Sequence, residues 1–147
     1  VVADEGRTMT RFIGMMRDTA NEAIAFDAIG TEAARFGGYL DLLAAVTGRL
    51  QACDAPARRL TNATIYLDGF GHLVIGWMWL RQAIVAATAL ASGSVPESRR
   101  GFYRSKIVAC RYFARYELPL AAARLELAGA LDTTCLDADP DMFGSRP

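Results

Sequence analysis

Four arginines with helical spacing are the residues with the clearest potential for binding chemistry. Their spacings of four, seven and four residues place them within about 60° of one another around a helix axis. Such a face could bind phosphate groups, an acidic protein surface or the chain's own acidic residues at 137–141, although a stripe of like charges is more often simply solvated. These candidate interface residues are Arg100, Arg104, Arg111 and Arg115.

Two charged residues fall on the apolar side of the same predicted helix. Lys106 and Glu117 lie within the arc that also holds Phe102, Cys110 and Phe113. Charged groups on an apolar face must be paired, or must reach water with their ends. We therefore expect Lys106 and Glu117 to meet partners on another helix or on another domain, and we add both to the candidate interface.

Two tryptophans and the only histidine come close together in the sequence. Trp77 and Trp79 cannot face one side of a helix, because positions i and i+2 differ by about 200°. We predict that one meets the core and the other meets a partner surface or water, which adds both to the candidate interface. His72 has no evident ligand or nucleophile partner, and we expect it to be satisfied within or beside the core.

No pattern in the sequence indicates catalysis, a metal or a cofactor. The three cysteines form no CxxC pair, and the Glu-x-x-His motif of di-iron bundles is absent. Gly69, Gly71 and Gly76 match no phosphate-binding loop. Inside a helical pattern they predict the close approach of a neighbouring helix. The sequence therefore predicts no catalytic, cofactor-binding or metal-binding residue in this chain.

Length and composition describe a single folded domain. The chain has 147 residues, of which 52% are hydrophobic and 22% charged, and its formal net charge is zero. These values exclude a disordered chain and make nucleic acid an unlikely partner. A basic segment at 99–124 leaves nucleic-acid binding open as a weaker alternative. Few cysteines and no sign of a disulfide framework favour a cytoplasmic location.

The apolar residues recur at helical spacing throughout, and nothing alternates with the period of a strand. We predict an all-α, up-and-down four-helix bundle that spans residues 1–147, with a third helix over about 58–90. The last helix should be kinked or broken at Pro119, which lacks a backbone donor. The most apolar run, at 73–91, holds Arg81 and Gln82 near its middle, so we expect a buried helix and no membrane span.

A further set of residues resembles a known family. These residues are 62–67, Gly71, Gly76, Trp77, 80–83, Lys106, Ile107, Ala109, 111–114, Leu118, Pro119, Gly129, Ala130, Leu136, Asp137 and Phe143. Together they are similar to the C-terminal helical domain found in a subgroup of acyl-CoA dehydrogenase-like flavoproteins, which includes the enzymes that act on methylmercaptopropionyl-CoA. Within this likeness Lys106, Arg111 and Tyr112 match polar and aromatic positions, and Pro119 matches the family's helix-breaking proline.

The resemblance implies that the chain is part of a longer protein. That parent would hold FAD and would oxidise an acyl-CoA at its α,β-carbons, with a glutamate of a preceding bundle as its base. No matching glycine-rich segment occurs here, so Glu117 and Glu126 are not assigned that role, and this fragment alone is not expected to be an enzyme. The expected role is packing on the remainder of the parent dehydrogenase, or subunit assembly as a homo-oligomer. The alternative is a stand-alone bundle that binds a small apolar ligand or a protein partner.

Overall fold

The computed structural model describes residues 6–144, and the predicted domain over 1–147 extends beyond them at both ends. Within the described part every regular element is helical, as the sequence predicts. The elements are α1 (Arg7–Ile24), α2 (Gly30–Ala52), α3 (Pro56–Thr61), α4 (Ala63–Ala91), α5 (Glu97–Tyr112), a π-helical turn (Phe113–Glu117), α6 (Leu118–Gly129) and a 3-10 turn (Pro140–Phe143).

Helix α4 is the centre of the molecule. It packs against α1, α2, α5 and α6, while α2 also packs against α1 and α6. The apolar stripes of these helices meet in one core. The largest fully buried side chains are Phe36, Met16, Ile29, Leu40, Leu43, Leu73, Leu118, Leu125 and Val46. Burying one such side chain stabilises the fold by about 1.5–3 kcal/mol.

The central position of α4 explains its composition. Its length and its mean hydropathy of 1.5 over the most apolar window would also suit a membrane span. A core helix of a folded domain meets the same criteria, and α4 has four helical neighbours. Its Arg81 guanidinium lies over the Trp77 ring rather than among aliphatic chains. These contacts favour the predicted assignment of α4 as a core helix.

The long third helix predicted over 58–90 is divided at Asn62. There the backbone leaves helical geometry (φ −106°, ψ 24°), which separates α3 from α4. The Asn62 side chain is buried, and its Nδ2 donates a hydrogen bond to the carbonyl oxygen of Asp132 at 3.0 Å. Hydrophobic spacing continues across the break, so the sequence pattern alone gave no sign of it.

The predicted interruption near Pro119 takes the form of a π-helical turn. The turn covers Phe113–Glu117, and α6 begins at Leu118 with Pro119 in its first turn. A proline is tolerated in a first turn because that backbone position has no helical partner for an N–H. The break therefore lies just before the proline. It leaves Ala114 and Leu118 buried on the same side as the rest of the core.

Two of the three glycines on α4 permit close helix packing, as predicted. A Cβ atom added at Gly69 would lie 2.9 Å from Cγ of Leu125, and one at Gly76 would lie 3.0 Å from Cδ2 of Leu118. Both contacts are with α6. The prediction is wrong for Gly71, where an added Cβ meets nothing within 4 Å. Gly71 faces away from the neighbouring helices.

Candidate functional site

Two of the four arginines in the predicted stripe bind acceptors within this chain. Nε of Arg111 donates a hydrogen bond of 2.8 Å to the carbonyl oxygen of Ala28, in the connection between α1 and α2. Nη2 of Arg115 lies 3.5 Å from Oε1 of Glu32 on α2. Both side chains therefore fix the end of α5 and the π-helical turn to α2, and each satisfies an acceptor on the protein itself.

The other two stripe arginines differ from each other. Nε of Arg100 lies 3.5 Å from Oε2 of Glu97, one turn earlier on α5. Arg104 is exposed, and no hydrogen bond or ion pair joins it to another residue of the described part. The acidic tail is satisfied locally, since Asp137 accepts from Thr133 and Asp139 accepts from the backbone of Asp141. Of the stripe, Arg104 is the residue left available for a partner.

Glu32 is a buried carboxylate that the sequence analysis did not select as a candidate. It is 4% exposed and occupies the first turn of α2, where the helix dipole favours negative charge. Its position could have been found from spacing, because Phe36 and Leu40 follow it at intervals of four residues on the buried face. Arg115 supplies the opposite charge that a buried carboxylate requires.

Cys110 lies beside Glu32, and its thiol is unreactive near neutral pH. Burial, with a further contribution from the nearby Glu32 carboxylate and against a smaller opposite effect of Arg111, raises the pKa of its thiol to about 12. Since the thiolate is the reactive form of cysteine, this thiol is not a nucleophile near neutral pH. The adjoining void measures only about 10 Å³, so the region is a packed core.

Lys106 meets aromatic rings. Its ammonium lies 5.5 Å from the centre of the Trp79 ring and 5.2 Å from that of Phe102. The half-buried side chain thus covers apolar surface with its stem and keeps its charge against two π faces. Within the described residues no carboxylate comes within ion-pair distance of it.

Glu117 and His72 lie together at the π-helical turn. Nδ1 of His72 donates to the carbonyl oxygen of Asp68 at 2.9 Å, and Nη1 of Arg124 lies 3.3 Å from both ring nitrogens. Oε2 of Glu117 is 3.9 Å from Nε2. The histidine is therefore satisfied beside the core, as expected. Arg124 is a partner that the sequence gave no reason to select.

Both tryptophans are partly buried against neighbouring helices, and the expectation that one of them also meets a partner surface or water stays a prediction. Nε1 of Trp77 donates to Oγ1 of Thr19 at 2.8 Å, and the ring packs edge-on against Phe12 of α1. Trp79 lies on the side of α5, beneath Lys106. Because α4 has helices on opposite sides, side chains about 200° apart can both be half-buried.

Two open grooves border α5. The first, which we call the α4–α5 groove, has a volume of about 500 Å³, and its lining includes Met78, Arg81, Gln82, Val85, Phe102 and Lys106. The second has a volume of about 760 Å³, and its lining includes Trp79, Arg104, Val108, Tyr112, Phe113 and Glu117. The predicted interface residues Trp79, Arg104 and Glu117 therefore meet in one groove, whereas Lys106 borders the other.

Comparisons with known proteins identify a family and a longer relative that this chain resembles. A family model described as "Acetyl-CoA dehydrogenase C-terminal like" matches residues 12–139. The chain is also 28% identical, over 151 residues, to the broad-specificity linear acyl-CoA dehydrogenase FadE5 of Mycobacterium tuberculosis (strain ATCC 25618 / H37Rv). That alignment covers 97% of this chain and 24% of the relative. The chain thus spans about a quarter of the length of the curated relative that it matches.

Proposed function

This chain belongs to the family of acetyl-CoA dehydrogenase C-terminal-like domains, and we propose that it is the non-catalytic C-terminal domain of an FAD-dependent acyl-CoA dehydrogenase. Its match over residues 12–139 and its likeness to a longer dehydrogenase support this assignment. The parent would oxidise an acyl-CoA at the α,β-carbons, in the cytoplasm, where the three free cysteines would remain reduced. We place it with the methylmercaptopropionyl-CoA dehydrogenase-type subgroup, on the residues that carry the resemblance.

The described residues do not fit the flavin itself. Their grooves are open and are lined by helical side chains, and the void enclosed near Glu32 has only about 10 Å³. A flavin site needs a deep cleft with donors aimed at the ring and the phosphates. FAD would therefore be held by the remainder of the parent.

The proposed role of this domain is to pack against that remainder. We propose that its scaffold is a four-helix bundle in which α5, the π-helical turn and α6 together form the interrupted fourth helix. One surface of this fourth helix carries apolar side chains at intervals of four residues, each at least half exposed. We call it the Tyr112 face, and its residues are Val108, Tyr112, Tyr116 and Leu120.

The exposure of the Tyr112 face is the observation that carries the proposal. The rings of Tyr112 and Tyr116 stack on each other with centres 4.8 Å apart, which leaves a wide aromatic surface without a helix over it. Contiguous apolar surface of this kind marks an interaction site. Tyrosine and arginine are also enriched at interfaces, and the unpaired Arg104 borders the same groove as Tyr112.

The proposal is tested with the protein segment that the same reading frame encodes before this chain. That preceding segment is expressed separately, and its affinity for this chain is measured by calorimetry. We expect saturable binding that the double variant Tyr112→Ser, Tyr116→Ser weakens by about tenfold or more, since aromatic anchors dominate interface energies. Leu67→Ser is the matched control, because Leu67 is 62% exposed but lies outside the Tyr112 face.

Three results would contradict this role. They are a reading frame with no dehydrogenase segment before this chain, an absence of binding, and equal binding by the double variant.

The same variants test homo-oligomer formation, because a second copy could cover the Tyr112 face. In that case light scattering would give the mass of two chains for the unmodified protein and for Leu67→Ser, and the mass of one chain for the double variant.

The second candidate is a stand-alone bundle that binds a small apolar ligand or a protein partner. It is favoured by a pocket of about 210 Å³ between α2, α3 and α4, whose lining includes Thr47, Leu50, Leu60, Tyr66 and Leu67. A ligand that binds only the folded chain stabilises it by RT ln(1 + [L]/Kd) and so raises its melting temperature. A series of acyl-CoA esters in a thermal-shift assay separates the candidates, because a purely structural domain would show no dependence on chain length.

A further inference from the structure

The second groove beside α5 carries opposite charges toward its two ends. We call it the Trp79 groove, and its lining includes Trp79, Arg104, Val108, Tyr112, Phe113 and Glu117. Arg104 and Glu117 are separated by about 20 Å along the helix, at 1.5 Å for each residue. Between them Val108 and Tyr112 are 61% and 56% exposed. The groove therefore joins an apolar middle to a cation near one end and a carboxylate near the other.

Neither charged group has a firm partner within the protein. Arg104 is exposed, and no carboxylate of the described residues lies within ion-pair distance of it. Oε2 of Glu117 lies 3.9 Å from Nε2 of His72, a long contact that is ionic only when the histidine carries a proton. In the described part of the chain no arginine or lysine lies within ion-pair distance of Glu117. Water is left to solvate both groups.

These two charges restrict what can cover the groove. A partner that lies over it removes Arg104 and Glu117 from water, and desolvation of a charge without a counter-charge is unfavourable. A purely apolar partner would leave both groups uncompensated. A partner that carried a single sign of charge would repel one of them. Charge complementarity therefore selects a partner with a carboxylate near Arg104 and a cation near Glu117.

The surrounding elements also determine the backbone form of the partner. Every regular element of the described residues is helical, and backbone groups inside a helix bond to one another. An extended segment would find no sheet edge here, so its own N–H and C=O groups would lie unpaired against apolar side chains. A helix satisfies these groups internally, and amphipathic helices bind in grooves of this kind.

The remainder of the parent protein is the source of such a helix. The alignment with the longer dehydrogenase covers 24% of that relative, and the packing role proposed above gives this chain a corresponding remainder. The Tyr112 face shares Val108 and Tyr112 with the Trp79 groove. One helix of the remainder can therefore cover the apolar face and reach both charges.

We propose that an amphipathic helix of the parent's remainder lies in the Trp79 groove, with a carboxylate against Arg104 and a lysine or arginine against Glu117. These two partner residues are about 13 positions apart, because both partners are helices with the same rise per residue. The apolar face of the partner helix lies on Val108 and Tyr112. The inference rests on the proposed packing role for the existence of the partner, and it adds the form and the charge pattern of that partner.

Charge-neutral variants test the two ends of the groove. The preceding segment of the reading frame is titrated into each variant of this chain by calorimetry. Arg104→Gln and Glu117→Gln should each weaken binding by about tenfold or more, since charge-assisted hydrogen bonds are lost. Arg99→Gln and Glu126→Gln are the matched controls and should leave the affinity unchanged, because both residues are exposed and lie outside the groove. Circular dichroism of each variant establishes that it remains folded.

Charge reversal then tests the pairing itself. Hydrogen exchange of the preceding segment, with and without this chain, locates the stretch that becomes protected on binding. We expect one helical stretch with an acidic and a basic residue about 13 positions apart. Arg104→Glu should weaken binding by more than Arg104→Gln. Reversal of the acidic residue to lysine should restore the affinity for Arg104→Glu, but not the affinity for Glu117→Gln.

The inference fails if the groove variants bind as tightly as their controls, if the protected stretch lacks this charge pattern, or if charge reversal does not restore affinity. Failure of the packing role gives a different result. Binding that is lost in the Tyr112→Ser, Tyr116→Ser double variant but unchanged in Arg104→Gln and Glu117→Gln would leave the packing role intact and overturn this inference alone. An absence of any binding would contradict both.

Discussion

Substitution of Gly69 by alanine tests whether close contact between α4 and α6 holds the bundle together. The added Cβ would lie 2.9 Å from Cγ of Leu125 and 3.2 Å from the carbonyl oxygen of Ala121. Leu125 is fully buried, so it cannot turn into solvent, and the Ala121 oxygen belongs to the backbone. Relief therefore requires displacement of α6, and overpacking of this kind costs about 1–3 kcal/mol.

Gly71→Ala is the matched control, because Gly71 lies on the same helix and an added Cβ there meets nothing within 4 Å. Alanine exceeds glycine in helix propensity by about 1 kcal/mol, and both variants receive this gain. The free energy of unfolding should therefore rise by up to about 1 kcal/mol in Gly71→Ala. In Gly69→Ala the overpacking cost offsets or exceeds the same gain.

Urea denaturation and thermal melting, followed by circular dichroism, measure the difference between the two variants. A difference of about 1–3 kcal/mol corresponds to about 2–12 °C in melting temperature for a domain of this size. The reasoning is refuted if Gly69→Ala is stabilised as much as Gly71→Ala. That outcome would mean that α6 moves away without cost, and that the close approach of the two helices contributes little.

Three further predictions concern polar groups in the core. Arg115→Leu should lower the free energy of unfolding by about 1–3 kcal/mol in urea denaturation, because it leaves the buried Glu32 carboxylate without its partner. Thr47→Val should lower it by about 1 kcal/mol in the same assay, because the Tyr66 hydroxyl loses its hydrogen bond of 2.8 Å. Stability should also fall as pH rises from 9 toward 12, since burial raises the pKa of the Cys110 thiol to about 12 and only the unfolded thiol then releases its proton.

Controls accompany the predictions for Arg115 and Cys110. Glu32→Gln combined with Arg115→Leu should recover part of the loss, because no buried charge then lacks a partner; an equal loss with and without Glu32→Gln would contradict the explanation. Burial also raises the pKa of Tyr66, which gives stability the same direction of change above pH 10, so Cys110→Ala is needed to isolate the thiol. A pH dependence unchanged in Cys110→Ala would refute its assignment to Cys110.

The local sequence pattern was sufficient to predict that the chain is helical and that its last helix is interrupted near Pro119. The spacing of apolar residues predicted an all-α chain, because each helix must bury a stripe of side chains. A proline predicted the interruption near residue 119, because it removes a backbone donor at one known position. The division at Asn62 was missed, and the hydrogen bond that its side chain makes there is to Asp132, 70 residues away.

The candidate surface was predicted less well than the fold. The four arginines were predicted from their spacing as one stripe, but spacing cannot reveal that Arg111 reaches Ala28 and that Arg115 reaches Glu32. Both acceptors lie far away in the sequence. The two tryptophans were predicted to differ in environment because only one side of α4 was expected to face a core.

Sequence by itself determined which residues are apolar, how often they recur, where a glycine or a proline stands, and which family the chain resembles. Tertiary structure decided which glycines touch a neighbouring helix, which arginines remain available, and where cations meet exposed hydrocarbon. The physical reason is the range of the interactions. Helix formation depends on residues within about one turn, whereas a surface is defined by which helices cover one another, and that follows only when the whole core is packed.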